Sequence, residues 1–112
     1  MKLYEEAQET LIKMRSELEQ RLKRIERQIR QPLDPDLDDQ AVESEREEVL
    51  ADLSAQIRTE LNDITTALAR LERNEYEICA KCGQHIAVER LKVLPFTALC
   101  FSCAEKSHSL RL

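Results

Sequence analysis

The fold of this chain depends on two Cys-x-x-Cys pairs, Cys79-Ala80-Lys81-Cys82 and Cys100-Phe101-Ser102-Cys103, with 17 residues between them. Each pair curls its backbone so that two thiolates point into one space, and two pairs supply the four sulfurs of a tetrahedral structural zinc site. Gly83, the only glycine in the chain, directly follows the first pair. A tight turn there requires the positive φ that glycine adopts without steric cost. We therefore predict one structural Zn²⁺ bound by Cys79, Cys82, Cys100 and Cys103.

Other uses of four cysteines fit this chain less well. Two disulfides suit a secreted chain, but residues 1–6 contain no apolar core of a signal peptide, so we expect reduced thiols in the cytoplasm. A mononuclear iron site uses the same ligands and stays open as an alternative. His85 and His108 are not needed, because four cysteines complete the coordination sphere. A complete sphere leaves no position for substrate, so we predict that the protein is not an enzyme.

Apolar residues before the cysteines recur in steps of three and four, which is typical of coiled-coil helices. Residues 2–30 and 39–74 each read as one long helix, and Pro32 and Pro35 interrupt the pattern between them. The apolar positions are Tyr4, Ala7, Leu11, Met14, Leu18, Leu22, Ile25 and Ile29, then Val42, Val49, Leu50, Leu53, Ile57, Leu61, Ile64, Leu68 and Leu71. We predict a fold dominated by α-helices, with an antiparallel two-helix coiled-coil hairpin.

One register of that hairpin places seven apolar pairs opposite each other, including Leu18 with Leu53 and Tyr4 with Leu68. We predict this register and a monomer, because the short connection makes closure of the hairpin inexpensive in entropy. The alternative is an open pair of helices that associates with a second chain. The second helix begins with several glutamates and few apolar residues, so we expect its first turns to be solvated.

Two segments follow from these patterns: a hairpin over residues 1–74 with an acidic tip loop at 31–39, and a zinc module over residues 75–112. Within the module we expect a short extended piece at 85–88 and a short helix at 101–110. The module contains too little apolar mass to fold without its metal.

The charge is unevenly distributed along the chain. The net charge is −5, but residues 31–75 alone hold 4 basic and 13 acidic side chains. An acidic middle argues against wrapping nucleic acid, because phosphate contacts need clustered lysine and arginine. It favours a basic protein surface or a metal-rich site as partner. No apolar run approaches the ~20 residues that a membrane span requires.

Four aspartates cluster in the predicted tip, at Asp34, Asp36, Asp38 and Asp39. Acidic turns that cap a helix are common, and this reading stays open. The other reading is a probe, in which long helices carry carboxylates into a narrow, positively charged channel.

The complete pattern resembles the DksA/TraR family of bacterial zinc-finger regulators, from the first helix onward. The tip matches the family's Asp-x-x-Asp-x-Ala as Asp36-Leu37-Asp38-Asp39-Gln40-Ala41. The more specific matches lie in the zinc module, at Cys79, Cys82, Gly83, Ile86, Arg90, Leu91, Pro95, Ala98, Cys100 and Cys103.

The resemblance implies a transcriptional regulator that inserts its hairpin into the secondary channel of RNA polymerase and does not bind DNA directly. By carry-over, Asp36, Asp39 and Ala41 act near the polymerase active site and modulate promoter complexes. The zinc module would bind at the rim of the channel.

One departure from the family concerns guanosine tetraphosphate. Members that respond to this alarmone hold it with basic residues, at positions that are Asp63, Leu94 and Ala104 here. A polyphosphate needs cations, and an aspartate repels it. We therefore expect no alarmone site of the usual kind.

Three other functions compete with this reading. A transcript-cleavage factor like the Gre proteins also uses a hairpin with an acidic tip, there to help hold a catalytic Mg²⁺. A zinc-containing adaptor would bind another protein through its coiled coil. A DNA-binding finger is the least favoured, because the few basic residues lie on no evident recognition helix.

Overall fold

The computed structural model describes residues 2–30 and 40–109, with side chains described over 2–29 and 44–107. It contains four helices in these ranges: α1 (Lys2–Arg30), α2 (Gln40–Glu72), α3 (Val88–Val93) and α4 (Phe101–Ser109). The chain divides into two compact units. We call Met1–Met14 with Asp63–Leu112 the zinc unit, and Arg15–Asn62 the helical unit. The protein is mostly helical, and the two long helices pack as the predicted hairpin.

In the helical unit, one apolar residue per heptad from each helix forms the buried row. Leu18 and Ile25 of α1 and Leu50 and Ile57 of α2 are all 8% exposed or less. Across the helices, Arg58 Nη2 donates a hydrogen bond of 2.6 Å to Glu26 Oε1. Residues 44–49 are all exposed, as expected for the glutamate-rich start of α2.

The predicted register of the hairpin is wrong. If Leu18 faced Leu53, then Glu26, eight residues further along α1, would face residue 45. Its carboxylate instead bonds Arg58, 13 residues further along α2. At 1.5 Å per residue that difference is ~20 Å, more than the two side chains together can span. Leu53, which the predicted register buries, is 41% exposed.

The physical reason for this error is the periodicity itself. About 11 residues make three turns of an α-helix, so sliding one helix by three turns returns nearly the same apolar face. Several registers therefore bury nearly the same apolar face of each helix, and apolar pairing alone does not distinguish them. Interactions that do not repeat, such as the ion pair between Glu26 and Arg58, distinguish between them.

In the zinc unit, the first turns of α1 and the last turns of α2 share a core with the metal module. Leu11 and Ile64 are completely buried, and Tyr76 is the largest fully buried side chain among the described residues. The ring of Tyr76 meets that of Tyr4 edge to face, with centroids 5.9 Å apart. Burial raises the pKa of Tyr76 to about 12, so its hydroxyl stays protonated and donates to the carbonyl oxygen of Pro95 at 2.7 Å.

The zinc module contains less extended structure than expected. The predicted piece at 85–88 is reduced to one antiparallel bridge between Ile78 and His85, and Val88 begins α3. The amides of Arg90 and Leu91 both bond the carbonyl of Ala87, which turns the chain into a helix and buries Leu91. The apolar pattern did not predict α3, since six residues are too few for a clear helical period. The predicted terminal helix forms as α4.

No helix among residues 2–30 and 40–109 is both long and apolar enough to cross a lipid bilayer.

Candidate metal centre

The four cysteines predicted as ligands lie together at one point of the zinc unit. The sulfurs of Cys79, Cys82, Cys100 and Cys103 all lie within 4.8 Å of one another. Those of Cys82 and Cys100 are 3.7 Å apart. Zn–S bonds of about 2.3 Å in a tetrahedron give S···S edges of about 3.8 Å, so these positions fit zinc.

The first Cys-x-x-Cys pair has the backbone geometry that a metal knuckle requires. The amide of Gly83 donates to the carbonyl of Cys79 at 3.0 Å, and the amide of Cys79 donates to the carbonyl of Gln84 at 2.8 Å. Gly83 has φ 76°, as predicted. A Cβ built there meets nothing within 4 Å. The turn therefore needs glycine for its backbone conformation and not for space.

The second pair lies at the start of α4 and is tied to the first. Cys100 precedes the helix, Cys103 lies in its first turn, and the amide of Ala104 donates to the carbonyl of Cys100 at 2.9 Å. The amide of Ala80 donates to the carbonyl of Ala98 at 2.8 Å. This bond joins the first pair to the segment that leads into the second, so the two pairs are held at a set separation.

The electrostatics of the site favour a bound cation. Burial alone would raise the pKa of Cys79, but backbone amides of Cys100, Cys82 and Lys81 donate to its sulfur and lower its pKa to about 6. Hydrogen bonds with the Cys100 and Cys82 side chains, together with burial, raise the pKa of Cys103. Cys79 is therefore prepared as a thiolate, whereas Cys103 holds a proton that a divalent metal would displace on binding.

The four cysteines form a C4 site for one Zn²⁺. Cys79 and Cys103 are buried, Cys100 is half-buried and Cys82 is exposed. Four thiolates complete the tetrahedron, so the metal's role is to hold the fold of the module and not to bind substrate. His85 lies outside the cluster, in the bridge to Ile78.

Three further predicted site residues belong to the acidic tip. Asp36 and Asp39 lie outside the described residues. Ala41 lies in α2, but its side chain is outside the described part, as is that of His108. Their predicted roles therefore stay predictions.

Arg70 is a structural residue that sequence analysis missed. Its side chain is 6% exposed, and Nη2 donates to the carbonyl of Glu75 at 3.0 Å and to that of Ile78. Nearby, Asn74 takes a left-handed conformation, φ 60°, where α2 ends. Arg70 therefore connects the end of α2 to the segment that leads into the first Cys-x-x-Cys pair. The sequence feature that could have indicated this role is the position of Arg70, one residue before the apolar Leu71 and close to the predicted end of the helix.

Two of the three positions linked with alarmone binding line one cavity of the zinc unit, of about 370 Å³. They are Asp63 and Leu94; Ala104 is not among its lining residues. None of the described residues that line it is basic.

Fold and site together define a zinc-finger protein with a helical hairpin, and comparisons with known proteins identify the family. The sequence-family model of the DnaK suppressor protein-like N-terminal domain matches residues 7–71. That of the prokaryotic dksA/traR C4-type zinc finger matches residues 74–107. The chain belongs to the DksA/TraR family, whose DksA-like members are transcription factors and not enzymes.

Solved structures that are similar to this chain include two proteins with related names. The structure of transcription factor DksA2 from Pseudomonas aeruginosa is 25% identical in sequence with a TM-score of 0.84, covering 99% of this chain and 87% of that one. The solution structure of DnaK suppressor protein from Agrobacterium tumefaciens C58 is 37% identical with a TM-score of 0.64, covering 91% of each chain.

A curated relative matches over a shorter stretch. An uncharacterized protein of Aquifex aeolicus (strain VF5) is 40% identical over 60 residues, which are 54% of this chain and 41% of that protein. The chain thus matches about two fifths of this relative's length.

Proposed function

We propose that this protein binds RNA polymerase in its secondary channel and regulates transcription from there, without contacting DNA. The observation that carries the proposal is the pair of family matches, which together run over residues 7–71 and 74–107. The acidic charge of residues 31–75 supports it, because such a surface fits a basic protein channel better than a nucleic acid. Helices of 29 and 33 residues, ~43 and ~50 Å long, are compatible with insertion into a deep channel.

The residues that act inside the polymerase would be Asp36, Asp39 and Ala41. Carboxylates near the catalytic Mg²⁺ of the polymerase alter the local electrostatic potential, and so the stability of promoter complexes. The zinc module would bind at the rim of the channel. In this proposal the protein works as a monomer in the cytoplasm, and sedimentation of the free protein tests the oligomeric state.

We further propose that the usual guanosine tetraphosphate site is missing. The cavity that contains Asp63 and Leu94 offers a carboxylate and apolar groups where a polyphosphate would need cations. The alarmone should then change transcript yield by the same factor in the presence and in the absence of this protein.

The decisive experiment combines binding with transcription. The zinc-loaded protein should be retained on immobilised core RNA polymerase and should change transcript yield from purified promoters. Asp39→Asn should keep binding and lose the effect on transcription, whereas the neighbouring Asp38→Asn is the matched control and should keep both. Full regulatory activity in Asp39→Asn would refute the role of the tip, and failure to bind polymerase would refute the proposed function.

The same preparation distinguishes the Gre-like alternative. Backtracked elongation complexes should show no faster transcript cleavage when the protein is added. If cleavage became faster and depended on the tip carboxylates, the function would be Mg²⁺-assisted transcript cleavage and not promoter regulation.

A further inference from the structure

A cavity of about 370 Å³ in the zinc unit has the size of a small-molecule site. It opens between the last turns of α2 and the segment that follows α3. Its lining residues are Asp63, Thr66, Leu94, Phe96, Thr97, Ala98 and Leu99. All except Thr66 are half-buried, so the cavity is partly shielded from solvent and still accessible to it.

The wall formed by residues 94–99 is held in place before any ligand arrives. The carbonyl of Leu99 accepts bonds from Arg90 Nε at 3.0 Å and from the Thr97 hydroxyl at 3.1 Å. The carbonyl of Ala98 accepts a bond of 2.8 Å from the amide of Ala80, beside the zinc ligands. A preformed wall lowers the entropic cost of binding, because little of the chain has to be ordered.

The opposite wall presents one carboxylate. The carboxylate of Asp63 has no hydrogen bond or ion pair with any residue in the described part of the chain, although the residue is half-buried. Thr66, three residues further along α2, places a hydroxyl on the same face of the helix. A charge that is partly removed from water beside apolar groups attracts an opposite charge more strongly than an exposed one does. The described lining contains no basic residue that could serve as its partner.

We propose that this cavity binds a small organic cation, an ammonium or guanidinium group on a short aliphatic body. The cation pairs with the carboxylate of Asp63 and donates a further hydrogen bond to the hydroxyl of Thr66. The aliphatic body contacts Leu94 and Phe96 on the preformed wall. The proposal rests on the geometry of the zinc unit alone and does not require that the protein bind polymerase.

The first test uses nuclear magnetic resonance on the full, zinc-loaded, ¹⁵N-labelled protein. The probe is n-butylguanidinium chloride, with 1-pentanol as a neutral compound of similar size and pentanoate and tripolyphosphate as anions. The guanidinium should cause saturable shifts in the amides of Thr66, Thr97, Ala98 and Leu99. The alcohol should bind more weakly and the anions not at all. Equal binding of alcohol and guanidinium, tighter binding of either anion, or no saturable shift with any probe would overturn the proposal.

The second test uses a matched pair of variants. Asp63→Asn should weaken binding of the guanidinium about tenfold, the usual scale for one charged hydrogen bond. Asp52→Asn removes an exposed carboxylate from the same helix in the helical unit and should leave the affinity unchanged. Equal zinc content and thermal stability in both variants show that the fold is intact.

The variants also separate a free ligand from a side chain of a protein. If Asp63→Asn left guanidinium binding unchanged but weakened binding to core RNA polymerase more than Asp52→Asn did, the cavity would hold a lysine or arginine of the polymerase. The small-ligand proposal would then be wrong, while the proposed function would stand.

Discussion

The zinc unit and the helical unit are stabilised in different ways. In the zinc unit the contacts are specific: four sulfurs converge, Tyr76 bonds the carbonyl of Pro95, and Arg70 bonds two further carbonyls. In the helical unit the contacts repeat, with a buried apolar residue at every seventh position and the ion pair between Glu26 and Arg58. Specific contacts select one geometry, whereas repeating contacts select a face of each helix and leave its axial position to a few additional groups.

Removal of the metal should give the largest difference in stability between the two units. A strong chelator under reducing conditions should unfold the zinc module, because a structural zinc contributes on the order of 10 kcal/mol to small domains of this kind. Amides of residues 15–29 and 44–62 should keep helical chemical shifts, since their buried row contains no metal ligand. The measurement is a pair of ¹H–¹⁵N spectra before and after chelation, with recovery on adding Zn²⁺. A uniform loss of signals in both units would show that they fold as one.

Truncation of apolar side chains tests the register of the hairpin. Ile57→Ala should lower the free energy of unfolding by about 2–4 kcal/mol, since it opens a cavity at a residue that is 5% exposed. Leu53→Ala should lower it by less than about 1 kcal/mol, because that side chain already meets solvent. Urea denaturation at fixed free Zn²⁺ measures both. A larger loss for Leu53→Ala would favour the register read from the apolar pattern.

Arg70 tests whether specific bonds control the entry to the zinc module. Arg70→Met should lower the free energy of unfolding by about 2–3 kcal/mol, because the carbonyls of Glu75 and Ile78 lose a charged donor. The matched control is Arg73→Met, which removes an exposed arginine that pairs with Glu75 at 3.3 Å. It should change stability by less than about 1 kcal/mol. Equal effects of the two substitutions would mean that the buried position of Arg70 is of no consequence.

The ion pair of the helical unit should have the smallest effect. A double-mutant cycle with Glu26→Gln and Arg58→Gln should give a coupling energy of about 0.2–1 kcal/mol, since the Arg58 side chain is largely exposed. The coupling should fall with added salt because of screening. A coupling energy of zero at low salt would indicate that the pair does not help to set the register.

Much of the architecture could be predicted before the structure. Four cysteines at two short spacings identify a metal site, because the number and spacing of sulfurs are local properties of the chain. The extents of α1 and α2 follow from long periodic runs and from Pro32 and Pro35, although α2 ends at Glu72 and not at the predicted residue 74. By contrast, α3 could not be predicted because its six residues are too few to show a helical period, and only the folded unit shows that Leu91 is buried there.

What the amino-acid order alone determined is the zinc ligand set, the two long helices, and the turn at Gly83. Each depends on residues that are neighbours in the chain or that repeat at a regular interval. Only the folded molecule decided which turns of α1 face which turns of α2, where Arg70 donates its bonds, and that Asp63 and Leu94 share a cavity. Those features depend on contacts between residues that are far apart in the chain. The packing energy of the folded protein selects such contacts, and they leave no local pattern in the sequence.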